Sequence, residues 1–174
     1  MKPKVILFVF SFLIVSCKQE NNSVDQEAAK SQPEMKELII DFSFKTNVED
    51  QFAILLNDIK IDEFQSKNVH IRETVYPSSE MERIHAKFNP DNLSVKLLIT
   101  LGKNLKEVFF ESLKFKYGKN SIIINSDNFE EYLMTNDYLK FDKENSLLKA
   151  VLIGDYTDPV IIVKQKLLDF LAKD

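Results

Sequence analysis

Glycine, cysteine, histidine and tryptophan are scarce in this chain, and each scarcity excludes a kind of chemistry. Three glycines among 174 residues leave no glycine-rich phosphate cradle and no collagen-like repeat, since average usage is about 7%. A single cysteine, Cys17, excludes an intramolecular disulfide framework and any multi-cysteine metal site. Two histidines, His70 and His85, leave little for a histidine-based metal centre. Without tryptophan, the strongest aromatic platform for a sugar ring is missing.

What is present begins with an address. Met1 to Lys4 is a short basic opening, and the eleven residues Val5 to Val15 form an apolar run broken only by Ser11. A helix crossing a bilayer core of about 30 Å takes about 20 apolar residues, so this run is too short. It suits the apolar middle of a secretory signal peptide. The residues that follow, Ile14-Val15-Ser16-Cys17, resemble the lipobox of bacterial lipoproteins, with Ile14 where leucine is commoner. That resemblance implies cleavage before Cys17, diacylation of its thiol and usually a further acyl chain on its new amino group. Several chains on one residue make a stable anchor, whereas one myristoyl chain holds only marginally. The expected location is the cell envelope, anchored to the outer membrane, with the periplasmic or surface side left open.

Residues 18–36 carry few bulky apolar side chains, too few to offset the entropy of ordering. They read as a flexible tether spanning on the order of 25 Å, or roughly 60 Å at full stretch. The chain is acidic, with 27 Asp and Glu against 23 Lys and Arg, and cleavage would also remove Lys2 and Lys4. Such a domain suits neither nucleic acid nor anionic lipid, which draw on clustered lysine and arginine. Lys114, Lys116 and Lys119 do cluster, but they alternate with apolar residues as the solvated face of a strand would. The expected partners are the membrane, through lipid on Cys17, and an envelope glycan or envelope protein.

From Leu38 the apolar pattern has period two, the mark of half-buried strands. Leu38, Ile40, Phe42 and Phe44 share one face, and Phe52, Ile54 and Leu56 repeat the alternation. Val69, Ile71 and Val75 form a third run that Pro77 ends. Ile84, Ala86 and Phe88 form a fourth, and Leu93 to Leu101 the clearest of all. Residues 107–117 slip phase, with Val108 and Phe110 on even positions but Leu113, Phe115 and Tyr117 on odd ones. A β-bulge produces such a slip, because two residues then oppose one. Ser121 to Asn125 follows as a short strand. Short strands at about ten-residue spacing read as an antiparallel β-sandwich over 37–125.

The remainder, 126–174, reads as a small C-terminal α/β addition packed on that sandwich. Asp127 and Glu130 resemble a capping box opening a helix over 128–134. Residues 138–141 and 147–153 read as a hairpin, 160–163 as a strand, and 164–173 as a terminal helix carrying Leu167, Leu168 and Leu171.

Three segments from Leu38 to Ile124 resemble the galactose-binding-like family of jelly-roll sandwiches. They are L-I-I-D-F-S-F-K-T-N-V-E-D-Q-F-A-I-L-L, L-S-V-K-L-L-I-T-L-G and V-F-F-E-S-L-K-F-K-Y. The chain is similar in particular to sandwich domains of bacterial membrane proteins that make or handle surface polysaccharides. The resemblance implies a jelly-roll-like fold and sugar binding through aromatic, arginine and asparagine contacts, sometimes with a structural calcium. No calcium loop of alternating acids is visible, and no cofactor is expected.

Opposite Val69, Ile71 and Val75 lie His70, Arg72, Thr74 and Tyr76, a row with an aromatic ring, a planar cation and hydrogen-bonding groups. Those chemistries suit a sugar, and this row is the candidate ligand-binding site. Zinc would need His70 and His85 to converge with Glu73 or Glu82, as they could only if their strands paired. Catalysis has thinner support. The adjacent acids Glu49-Asp50, Asp62-Glu63 and Glu130-Glu131 do not show the two converging carboxylates of a glycoside hydrolase. Serines 78, 79, 112 and 121 lack a G-x-S-x-G context. The expectation is a non-catalytic binding or assembly module, with a hydrolase acting on an envelope polysaccharide as the alternative.

Overall fold

The computed structural model describes residues 36–58, 69–90, 93 and 95–173. The expected signal sequence, Cys17, the expected tether up to residue 35 and the pair Asp62-Glu63 lie outside the described residues. Two antiparallel sheets pack face to face, as their alternation demands. In the first, β1 (Leu38–Thr46) lies between β4 (Glu82–Phe88) and β6 (Glu107–Tyr117). The far edge of β6 is shared: β7 (Asn120–Ile124) pairs with its second half and β10 (Leu147–Ala150) with its first. β9 (Leu139–Asp142) closes that sheet against β10. The second sheet runs in the order β3 (Val69–Val75), β2 (Asp50–Asp58), β5 (Val95–Thr100), β11 (Val160–Val163) and β8 (Leu133–Thr135).

The phase slip in 107–117 is a bulge. Ser43 faces Ser112 and Phe44 faces Phe110, so Glu111 is the extra residue. The bulge lets both halves of β6 keep their apolar side chains inward, with Val108, Phe110, Leu113 and Phe115 all buried. Between the sheets the core is aromatic at its centre. Phe44 lies 4.6 Å from Phe42 and 5.0 Å from Phe52, ring centre to ring centre.

Residues 126–174 complete both sheets instead of sitting on them, which corrects the expected boundary at 125. β9 and β10 extend the first sheet, and β8 and β11 extend the second. Phe129 ties this part to the core, edge-on to Phe110 at 5.1 Å and stacked on Phe141 at 4.0 Å. The expected helix over 128–134 is a single turn, α1 (Phe129–Tyr132). It stops there because Leu133, Met134 and Thr135 pair with Val163, Ile162 and Ile161. Nor is there a capping box: the Asn128 Oδ1 accepts the Asn125 N–H at 2.8 Å. The terminal helix α2 (Gln165–Ala172) buries Leu167, Leu168 and Leu171, and the Asn120 side chain bonds its end at the carbonyls of Leu171 and Lys173. Among the described residues, no helix is long and apolar enough to cross a membrane.

Candidate functional site

The outer face of the second sheet carries an open depression of about 550 Å³, within the roughly 300–1,000 Å³ common for ligand sites. Its shape follows from one small residue. Ala53 of β2 lies between Arg72 of β3 and Thr100 of β5, so the middle strand dips where its neighbours carry longer side chains. Ala53 and Leu55 form the floor, and Gln51, Arg72, Thr100, Lys103 and Asp158 form the rim.

One end of the depression is held by Asp50, the first residue of β2. Its Oδ2 accepts the backbone N–H groups of Lys103 at 2.9 Å and Asn104 at 2.8 Å, while Oδ1 accepts that of Gln51 at 2.7 Å. The Lys106 ammonium donates to the same carboxylate at 2.5 Å, to the Leu101 carbonyl at 2.6 Å and to the Asn104 carbonyl at 2.7 Å. All three ammonium protons are therefore used. Burial alone raises the Asp50 carboxyl, but the bonds from Lys106, Asn104 and Gln51 outweigh it and hold the group below its ordinary value. Burial pushes the Lys106 ammonium down, and its pairing with Asp50 pulls it only partly back. Gly102 makes this approach possible. Its φ is +79°, and a β-carbon there would sit 2.1 Å from the Asp50 carboxylate.

The row expected along β3 is only partly assembled. Arg72 reaches the depression, and its guanidinium has no ion-pair or hydrogen-bond partner among the described residues. Thr74 is exposed opposite Gln51, further along the strand. Tyr76 follows the end of β3, is 57% exposed and is not part of the lining, so among the described residues no aromatic ring lines the depression beside Arg72. The backbone of His70 lies opposite Leu55, and its side chain is outside the described residues.

The strands that carry the two histidines do not pair: β3 is an edge of the second sheet and β4 an edge of the first. His85 instead donates through Nδ1 to the Asp41 carboxylate at 2.6 Å. Among the described residues no three metal-ligating side chains come together. A second recess, of about 350 Å³, is lined by Tyr132, Lys166 and Phe170. One face of the Tyr132 ring is covered there by the Lys166 ammonium, 5.3 Å from its centre and paired with Glu131.

Gln51, Thr100, Lys103 and Asp158 escape a reading of the sequence. They come from three separate segments, and only the neighbour order β3–β2–β5–β11 assembles them beside Arg72. The one local signal was Gly102, a scarce residue just after a strand, marking a turn that approaches something closely. No family model, no curated protein and no solved structure matches this chain.

Proposed function

We propose that this chain is a lipid-anchored protein of the cell envelope, held through Cys17, whose sandwich is a non-catalytic binding or assembly module. The observation that carries the reading is the Arg72 guanidinium, without an ion-pair or hydrogen-bond partner among the described residues, on the rim of a depression floored by Ala53 and Leu55. A planar donor fork beside Gln51, Thr100 and Asp158 is suited to the hydroxyl and acidic groups of an envelope glycan. The hydrolase alternative has less support. A glycoside hydrolase needs one carboxyl that keeps its proton, and Asp50 is held ionised by Lys106 and backbone donors.

A protein partner is the second reading, favoured by an apolar row on the same face. Leu55, Leu98, Ile162 and Met134 lie side by side across four strands, with Met134 47% exposed. A glycan array probed with the full-length protein in detergent, and with Arg72→Ala, separates the two. Specific binding that the substitution abolishes supports the glycan reading. Silence across the array, with capture of an envelope protein, supports the other. Mass spectrometry of the same preparation reads the anchor, and an unmodified Cys17 in a membrane fraction would sink it.

A further inference from the structure

The outer face of the first sheet, on the side away from the depression, concentrates positive charge in an acidic chain. Side by side across β4, β1 and β6 lie Lys87, Ile39 and Lys116 in one row, and His85, Asp41 and Lys114 in the next. A third row holds Arg83, Ser43 and Ser112. Of these nine outward positions four are permanent cations and one is an acid. That acid is already engaged: Asp41 is 8% exposed and accepts from Arg83 at 2.8 Å and from His85 at 2.6 Å. Lys87, Lys114 and Lys116 are exposed and have no ion-pair partner among the described residues. Glu111, the bulge residue, is the acid at the border of this field.

The face is a flat sheet surface, about 10 Å across three strands, and not a groove. The chain enters the fold at its edge. Leu38 pairs with Phe88 and Tyr117, next to Lys87 and Lys116, and the Lys36 ammonium lies 5.8 Å above the Tyr117 ring. Residues 1–35 therefore join the described domain beside the corner where the cations are densest. Charges more than about 8 Å apart are largely screened at physiological salt. The cluster, and not the net charge of −4, decides what this face attracts.

We infer that the outer face of β4–β1–β6 docks the domain on an anionic lipid surface. The charge field is independent of the function proposed above, while the point of chain entry gains its meaning from an anchor at Cys17. The neighbour order explains why Lys114 and Lys116 alone read as an ordinary solvated face. Arg83 and Lys87 join them only because β4 and β6 flank the same strand.

The test is lysine acetylation footprinting of the full-length protein with phosphatidylcholine vesicles, with and without phosphatidylglycerol. The expected result is a severalfold drop in labelling of Lys87, Lys114 and Lys116 on anionic vesicles, reversed by high salt. Lys96 and Lys103, on the other side of the sandwich, should label equally in all cases. The variant K87Q/K114Q/K116Q should lose about a hundredfold in affinity for the anionic vesicles, at about fivefold per cation. Equal labelling of the three lysines on both vesicle types would overturn the inference. So would protection shared equally with Lys96 and Lys103, or protection by a soluble polyanionic glycan but not by vesicles. Flotation with neutral vesicles reads the acyl anchor separately, so a missing anchor and a wrong face are told apart.

Discussion

The Lys106 ammonium lies 2.5 Å from the Asp50 carboxylate with only 1% of its side chain exposed. Removing one member of a buried pair strands the other, which costs about 3–5 kcal/mol. Asp50→Ala should lose that much in urea unfolding at neutral pH, because it leaves a buried ammonium and orphans the N–H groups of Lys103 and Asn104. Lys106→Met should lose less, since Asp50 keeps its backbone donors. Equal stability of Asp50→Ala and the wild type would contradict this account.

Gly102 and Gly154 both have positive φ, +79° and +63°, but only Gly102 has a neighbour in the way of a β-carbon. Gly154→Ala should cost only the left-handed strain, about 1 kcal/mol. Gly102→Ala adds a collision with the Asp50 carboxylate and should cost clearly more. Matched losses in the two variants, measured by denaturant unfolding, would show that the contact is not what fixes the turn.

Acid should unfold the protein through its paired carboxylates. Burial raises the Asp41 carboxyl, but hydrogen bonds from His85 and Arg83 bring it below the ordinary 3.8, and Asp50 is likewise lowered. A carboxyl lowered on folding adds stability above its unfolded value and loses it as pH falls through the folded one. The melting temperature should therefore hold as pH drops toward about 4 and fall below it. Asp41→Asn should flatten part of that fall. A melting temperature that rises below pH 4 would reverse the sign.

Much of the first half was legible because alternation sets which face of a strand is buried. The bulge at Glu111 could be read from the shift between Phe110 and Leu113. Partner order could not be read. Leu133 to Thr135 has the composition of either helix or strand, and Val163, Ile162 and Ile161 decide it by pairing. The site shares that fate: Arg72 was legible on the polar side of β3, but its companions Lys103 and Asp158 come from other strands' ends. Tyr76 lies just past the end of β3 and is not among the residues that line the depression.

The same integration makes the C-terminal part indispensable. A chain ending at residue 125 would lose four strands and leave β5, β6 and Phe110 without the partners they have in the two sheets. It should show no cooperative thermal transition by circular dichroism. A sharp transition in that truncated chain would restore the boundary that the sequence suggested.

The most direct test of the binding role is an equilibrium titration of full-length protein with polysaccharide extracted from the producing organism's envelope, comparing Arg72→Ala with Tyr76→Ala. Because Arg72 lines the depression and Tyr76 does not, loss of Arg72 should weaken binding by tenfold or more, at about 1.5–3 kcal/mol for a charge-assisted hydrogen bond. Tyr76→Ala should bind as the wild type does. Unchanged affinity in Arg72→Ala, or loss confined to Tyr76→Ala, would contradict a site in the depression.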